Sequence, residues 1–233
     1  MEKIKAVFNW SGGKDSAFAL GRVLDNENIE IVSLLTTVNA THKRVSMHGL
    51  REELLDLQAE AIGIPLLKVY VPEGQSMAEY SRTMAEQWTI LKQWGITHAI
   101  FGDIFLEDLR RYREENLGSQ GITCLFPIWQ EDTGKLPDVF HRSGFKALLC
   151  CVRENQAAAL GAAVDASLPA LLAPGTDACG ENGEYHSFVF AAPFFKKPIS
   201  FVTGEQVFRS FDLAKADGTT EVQGYWYLDI LPA

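Results

Sequence analysis

One short stretch, residues 5–16, most constrains how this chain of 233 residues can fold. An apolar run over 5–10 is short enough to be a buried strand, and an apolar-periodic segment begins at Ala17. Between them stand Ser11, Gly12, Gly13, Lys14, Asp15 and Ser16. Adjacent glycines accept positive φ and leave no Cβ in the way of a ligand. The stretch therefore predicts a strand, a tight turn and the start of a helix.

The same turn predicts a polyphosphate site. Successive backbone N–H groups at a helix start form a concave site for anions. Lys14 adds a positive charge, Ser11 and Ser16 add hydroxyl donors, and Asp15 can hold a magnesium ion over the phosphates. The usual P-loop is excluded, because it needs four residues between its first glycine and the Gly-Lys pair. The alternative, a glycine-rich helix cap with a solvated lysine, is disfavoured by the strand–turn–helix context.

Strands and helices alternate through the first half of the chain. Further strands are predicted over 29–36, 66–71, 97–101 and 122–126, and helices over 14–24, 49–62, 77–94 and 107–117. This alternation predicts an α/β fold with a doubly wound, mainly parallel sheet. Ligands bind such sheets beyond the carboxyl ends of the strands, at the point where the strand order reverses. The glycine turn is expected at that edge.

The second half of the chain has a different pattern. An apolar run covers 145–152, an alanine-rich helix is predicted over 154–163, and short strand-like pieces follow residue 188. This pattern predicts a smaller C-terminal α+β domain packed on the first. We therefore divide the chain into a phosphate-binding domain, residues 1–125, and an acceptor domain, residues 126–233.

Composition limits the partners of the chain. The net charge of −9 argues against a broad nucleic-acid surface. No apolar run is as long as a membrane span, and the N-terminus has no signal-peptide pattern, so we expect a cytoplasmic protein without membrane contact. The four cysteines include no C-x-x-C pair, which indicates buried thiols in preference to a zinc or disulfide framework.

Two further pairs of residues are expected at the edge of the sheet that binds ligands. Met47 and His48 follow the second strand, where Met47 can pack on a nucleotide base and His48 can stack on it or hydrogen-bond to it. Gly102 and Asp103 end a buried strand, where the carboxylate can bind magnesium or orient an amine. The plainer alternatives are a surface histidine and a helix N-cap.

Two polar segments complete the candidates. Residues 107–114 carry charges of both signs, which is typical of a solvent-exposed helix. Within this segment we single out Arg110 and Tyr112 as candidate ligands of phosphate or of a substrate carboxylate. The glycine-rich segment 179–187 can be an exposed turn or a site of acid–base chemistry for an incoming amine. Its candidate residues are Cys179, Gly180, Glu181, Glu184, Tyr185 and His186.

These motifs together resemble those of one enzyme family. Ser-Gly-Gly-Lys-Asp-Ser alone resembles the pyrophosphate-binding loop of the PP-loop ATP pyrophosphatases. Combined with Met-His at 47–48, Gly-Asp-Ile at 102–104, Phe-Pro-Ile-Trp at 126–129 and Cys-Gly-Glu-Asn-Gly-Glu-Tyr-His at 179–186, it resembles the diphthine–ammonia ligase family. The resemblance covers about residues 4–200 and implies an adenine nucleotide alpha hydrolase-like, Rossmann-like fold.

The resemblance also implies an activity. ATP would bind with Mg²⁺ near Asp15 and with its phosphates on residues 11–16, beside Met47, His48 and Gly102. A substrate carboxylate would be adenylylated, and ammonia would displace AMP to leave an amide. In the family that carboxylate belongs to diphthine, a modified histidine of translation elongation factor 2. By match of motif, Cys179, Glu181, Glu184, Tyr185 and His186 would contact the acceptor, and we add Gly180, Arg110 and Tyr112 from the residues themselves. We predict catalytic roles for Lys14, Asp15, Asp103, Glu181, Glu184 and His186.

Other interpretations stay open. A tRNA-modifying ligase can use the same loop, but the acidic balance and the missing C-x-x-C pair disfavour it. An ATP-binding sensor without turnover is disfavoured by the presence of Lys14, Asp15 and the charged segment 179–186. A homodimer is compatible with everything above.

Overall fold

Five parallel strands form one sheet in the part of the chain that the computed structural model describes, residues 3–45, 48–214 and 220–233. Across the sheet they are β4 (Leu66–Val71), β2 (Ile29–Asn39), β1 (Ile4–Asn9), β5 (His98–Ile100) and β6 (Thr123–Leu125). The two-residue β3 (Arg44–Val45) pairs antiparallel with the end of β2, beyond the end of β1. The strand order reverses between β1 and β5, as expected of a doubly wound sheet.

Helices connect these strands, and local sequence explains their limits. They are α1 (Lys14–Leu24), α2 (Glu52–Ile62), α3 (Met77–Gln93) and α4 (Glu107–Gly118). Ser76 and Glu79 form a capping box at the start of α3, with Glu79 N donating to Ser76 Oγ at 3.3 Å. Helix α2 ends at Gly63, whose φ of +83° suits a residue without a Cβ. The predicted α/β class is confirmed.

The second half of the chain forms a separate antiparallel sheet. After the short helix α5 (Leu136–Arg142), the order across this sheet is β8 (Tyr185–Ala191), β7 (Lys146–Arg153), β10 (Thr220–Pro232) and β9 (Phe201–Ala214). Strands β9 and β10 form a long hairpin, where the sequence predicted only short pieces. No proline interrupts residues 201–214, and the glycine at 204 lies at a bulge within the strand, so β9 continues past it.

The helix predicted over 154–163 is wrong beyond its first turns. The chain forms a 3₁₀ helix over Glu154–Ala159 and then leaves the helical path at Gly161, which has a φ of +80°. Its backbone pairs with β7 instead: Gly161 N donates to Leu149 O at 2.8 Å, and Leu149 N donates to Ala162 O at 2.9 Å. Pairing with the sheet therefore overrides the helix propensity of the alanines.

A continuous apolar core joins the two sheets. Phe8 of β1, Phe18 and Leu20 of α1, Phe140 of α5 and Phe188 of β8 all belong to one cluster of buried side chains. A backbone hydrogen bond from Val189 N to Gly12 O, at 3.0 Å, also ties β8 to the glycine turn. The C-terminal sheet therefore stands directly against the predicted phosphate loop. The division of the chain after residue 125 stays a prediction.

Candidate functional site

A cavity of about 420 Å³ opens where the strand order of the parallel sheet reverses. Asn9, the last residue of β1, donates from Nδ2 to Ile100 O of β5 at 3.1 Å, so the two strands end side by side. The loops that follow them diverge and leave a crevice, as the topology requires. Residues 180–187 of the C-terminal half cover its third side.

The glycine turn forms one wall of the cavity. Ser11 Oγ donates to Ser16 Oγ at 3.1 Å and accepts from Gly13 N at 3.3 Å. A Cβ on Gly13 would lie 3.2 Å from His48 Nε2 and 3.2 Å from Ser187 O, so only glycine fits without displacement. The turn is thereby held open toward the cavity at the N-terminus of α1, where backbone N–H groups attract anions.

Gly12 has a packing role, although the sequence suggested contact with a ligand. It does not line the cavity; its φ is +80°, and a Cβ there would lie 2.8 Å from Leu55 Cδ2. The buried amide of Gln58 donates to Gly12 O at 3.1 Å and accepts from Trp10 Nε1 at 2.9 Å. Gln58 therefore fixes the turn from below, and no motif in the sequence indicates this.

Lys14 is buried beneath the cavity and paired within the protein. Its Nζ lies 2.7 Å from Asp15 Oδ2, donates to Cys179 O and stands 4.9 Å from the centroid of the Tyr185 ring. Its backbone N donates to Ser187 Oγ at 3.0 Å. Burial opposes the charged ammonium, but the Asp15 carboxylate outweighs it and raises the pKa of Lys14. Lys14 is therefore a permanent cation that joins the glycine turn to segment 179–187.

The loop after β5 supplies a second carboxylate. A Cβ on Gly102 would lie 2.9 Å from the backbone of Asp15, so this loop abuts the start of α1. Asp103 lines the cavity and forms an ion pair with Arg113, whose Nε lies 2.7 Å from Asp103 Oδ2. The guanidinium of Arg113 stands 4.2 Å from the centroid of the Phe101 ring. The ion pair and the ring fix the position of Asp103 at the cavity wall.

Segment 179–187 presents two titratable groups to the cavity. Glu181 Oε1 accepts from Ile104 N at 2.7 Å, and burial together with the Asp15 charge raises the pKa of Glu181 to about 7. The His186 ring lies 4.4 Å from the His48 ring, and its buried Nε2 has no hydrogen-bond partner among the described residues. Burial, assisted by the charges of His48 and Lys14, lowers the pKa of His186 well below its usual range. His186 is therefore neutral at pH 7.

The structure brings most of the predicted site residues to this cavity. Those that line it are Ser11, Gly13, Lys14, Asp15, Ser16, His48, Gly102, Asp103, Gly180, Glu181, Tyr185 and His186. Met47 lies outside the described residues. Gly12, Arg110, Tyr112, Cys179 and Glu184 do not line the cavity. The roles assigned to all of these residues stay predictions.

The residues away from the cavity have other contacts. Arg110 pairs with Glu114 at 2.8 Å, and Tyr112 lies on the exposed side of α4. Glu184 Oε1 accepts from Asp177 N at 3.3 Å, inside its own loop. Burial raises the pKa of the Cys179 thiol, so it stays protonated and weakly nucleophilic.

Arg113 and several other residues that line the cavity were not among the candidates from the sequence. Leu106, Leu109 and Arg113 line the cavity at helical spacing, a pattern in the sequence that could have made Arg113 a candidate beside Arg110. The remaining wall comes from the ends of strands and from α3, namely Asn9, Trp10, Leu35, Thr36, Thr37, Val45, Tyr80, Met84, Phe101, Gly183 and Ser187. Only the topology identifies these residues.

The C-terminal hairpin contacts the loop that carries His48. Asp229 Oδ1 and Oδ2 accept from Arg51 Nε and Nη2 at 3.0 and 2.7 Å, and Oδ1 accepts from Arg44 Nη2 at 2.8 Å. The hydrogen bond from Arg51 lowers the pKa of Asp229. Arg44 Nη1 also donates to Gly49 O at 2.7 Å, next to His48. The carboxylate of Asp229 therefore clamps both ends of this loop.

Comparison with known proteins identifies the family. The family model of the diphthamide synthase N-terminal domain matches residues 4–122, just over half of the chain. The chain belongs to this family. The resemblance found in the sequence is thereby confirmed, and the match spans the glycine turn, the loop that carries His48 and the loop after β5.

Full-length relatives of the diphthamide synthase family share more than this domain. The Danio rerio protein named diphthine–ammonia ligase is 29% identical over 87% of this chain and 88% of its own length. The Homo sapiens protein of that name is 25% identical over 87% of this chain and 84% of its own. The Schizosaccharomyces pombe protein of that name is 28% identical over 84% of this chain and 36% of its own length.

One solved structure is also similar. The U34-tRNA thiolase NcsA from Methanococcus maripaludis matches 56% of this chain and 53% of its own, with 15% identity and a TM-score of 0.34. At that TM-score the likeness supports no conclusion about function. Within the described ranges, no helix combines the length and the apolar character needed to cross a bilayer.

Proposed function

We propose that this chain is an ATP-dependent ligase that adenylylates a carboxylate and converts it to an amide with ammonia. The observation that carries the proposal is that one cavity is lined both by the phosphate-type turn 11–16 and by Glu181 and His186. An anion site and proton-transfer groups therefore share one cavity. The relatives named diphthine–ammonia ligase support diphthine as the acceptor.

The glycine turn would bind the phosphates of ATP. The backbone N–H groups at the start of α1, the hydroxyls of Ser11 and Ser16 and the Lys14 cation all belong to the same wall of the cavity. The acceptor carboxylate attacks the α-phosphorus, and the bond from that phosphorus to the bridging oxygen breaks, which releases pyrophosphate. Fixed donors at this position stabilise the charge that develops on the leaving group.

The residues present suit a magnesium ion. Asp15 Oδ1 is buried without a hydrogen-bond partner in the described structure, and Asp103 offers a second carboxylate on the same cavity. Mg²⁺ is commonly bound through one or two carboxylates together with phosphates, which is what these two residues and a bound ATP would offer. Bound there, Mg²⁺ would neutralise phosphate charge.

The opposite wall would serve the amination step. Ammonia attacks the acyl carbon, the bond to the AMP oxygen breaks, and the nitrogen loses a proton. Glu181 is suited to accept this proton because its pKa of about 7 lies near the operating pH. The neutral His186 ring presents Nε2 to the same space and can hydrogen-bond to ammonia or to the acceptor. Roles for Glu184 and Cys179 in this step have less support, since neither residue lines the cavity.

The test is a product assay. The purified chain is incubated with magnesium-ATP, ammonium and elongation factor 2 that bears diphthine, and each component is omitted in turn. AMP, pyrophosphate and amidated acceptor in equal amounts support the proposal. Tight ATP binding without AMP for this and other carboxylates would contradict it and favour a nucleotide sensor.

A further inference from the structure

The outer strand of the C-terminal sheet is left uncovered. Strand β9 is the edge of that sheet, so alternate backbone N–H and C=O groups along it face away from β10. Every side chain from Val202 to Asp212 is exposed, on both faces of the strand. Natural edge strands are normally short, bulged or charged to prevent pairing. At 14 residues, β9 is long for an edge strand, and one bulge at residues 204–205 is its main irregularity.

This edge also exposes apolar side chains. Val207 is 38% exposed, Phe208 44%, Phe211 43% and, on the adjacent strand, Val222 65%. The two phenylalanines pack on β10 with one side only, Phe208 at 5.1 Å from Trp226 between ring centroids. An exposed apolar edge of this kind is typical of a strand that pairs with another chain.

The charged side chains along β9 indicate which strand can pair with it. A two-fold axis normal to the sheet can pair β9 with a second β9 only in registers that place residues of the same face opposite each other. When the two-fold axis passes through Val207, Glu205 of each copy lies opposite Arg209 of the other copy, so this contact occurs twice. When the axis passes through Arg209, the two arginines lie opposite each other. Neither Glu205 nor Arg209 has an ion-pair partner elsewhere in the described chain.

We propose that β9 pairs antiparallel with β9 of a second copy of this chain, with Val207 on the two-fold axis. The interface extends two four-stranded sheets into one of eight strands, covers the apolar edge and forms two Glu205–Arg209 ion pairs. This inference is independent of the proposed ligase activity, because β9 does not line the cavity.

The register is tested with a cysteine on the axis. Opposite residues in an antiparallel pair have Cα atoms about 4.5–5.5 Å apart, within the range for a disulfide. V207C is therefore expected to form a covalent dimer on mild oxidation. V202C is the matched control, since Val202 is an exposed valine of the same strand that lies several residues from the axis and therefore far from Val202 of the second copy. It should remain uncrosslinked.

The ion pairs are tested by charge reversal, with the mass measured by light scattering over a dilution series. R209E sets like charges opposite each other twice and should raise the dimer dissociation constant at least about tenfold. E205R combined with R209E restores opposite charges and should recover the dimer. A wild-type chain that stays monomeric, or a dimer that neither crosslinks through V207C nor responds to R209E, would overturn the proposal.

Discussion

At the scale of single residues, we expect substitution of Lys14 to reduce activity the most. Its ammonium is buried and connects Asp15, the Cys179 carbonyl and the Tyr185 ring. We predict that Lys14→Ala lowers the rate of pyrophosphate release by about 100-fold or more, because one fixed donor to the leaving group is lost. Lys135→Ala, which removes an exposed lysine at the start of α5, is the matched control. Near-wild-type release from Lys14→Ala would contradict the assignment of the loop.

The raised pKa of Glu181 predicts how the stability of the folded chain changes with pH. Its pKa is raised from 4.5 to about 7 in the folded chain, so between these values the folded state binds the extra proton. The contribution of Glu181 to stability therefore falls as pH rises from about 4.5 to 7. Glu181→Gln mimics the protonated form and avoids this loss.

We expect the free energy of unfolding of Glu181→Gln to equal that of the wild type near pH 4.5 and to exceed it by about 1–2 kcal/mol above pH 7, allowing for solvent screening. Denaturant titrations over this pH range make the measurement. Glu131→Gln, at a half-exposed surface carboxylate, is the control. A difference independent of pH would show that the carboxyl titrates normally.

At the scale of elements, the turn between β1 and α1 depends on Gly12. Its φ of +80° opposes any larger residue, and so does the Leu55 side chain, which would lie 2.8 Å from a Cβ at this position. Gly12→Ala should lower the free energy of unfolding by about 2 kcal/mol or more. Gly118→Ala is the control, because nothing lies within 4 Å of its Cβ position at the end of α4. Equal stability of the two variants would refute this role.

The Asp229 clamp predicts coupling between the hairpin and the cavity. Asp229→Ala frees the loop that carries His48, so we expect ATP to bind about five- to tenfold more weakly by calorimetry. In a His48→Ala background the same change should add little, because its effect passes through His48. Asp212→Ala, an exposed carboxylate of the same hairpin, is the control. Full additivity of Asp229→Ala and His48→Ala would contradict the clamp.

Local elements could be predicted from the sequence wherever the pattern is local. Residues 11–16 identify the strand–turn–helix unit, and Ser76 and Glu79 identify the start of α3. The helix predicted after residue 154 failed because the backbone at Gly161 pairs with β7, a contact that no local pattern contains. The long hairpin was missed for a similar reason, since its pairing decides its length.

At the scale of the whole molecule, the candidate site was predictable in part. The residues on strand ends follow from the topology of a parallel sheet, which places the loops after β1 and β5 together. Two of the partners that hold them do not follow, because Gln58 and Asp229 reach the site from distant parts of the chain. Glu184 and Cys179 have suitable chemistry, yet neither residue lines the cavity.

In the proposed reaction, a carboxylate attacks the α-phosphate of ATP in this cavity. The most direct measurement uses an acceptor whose carboxylate carries ¹⁸O, incubated with magnesium-ATP and ammonium, with the products analysed by mass spectrometry. The attacking oxygen stays on phosphorus when ammonia displaces AMP. We therefore predict one ¹⁸O in AMP and none in pyrophosphate. Unlabelled AMP, or ADP with ¹⁸O in inorganic phosphate, would contradict the proposed reaction.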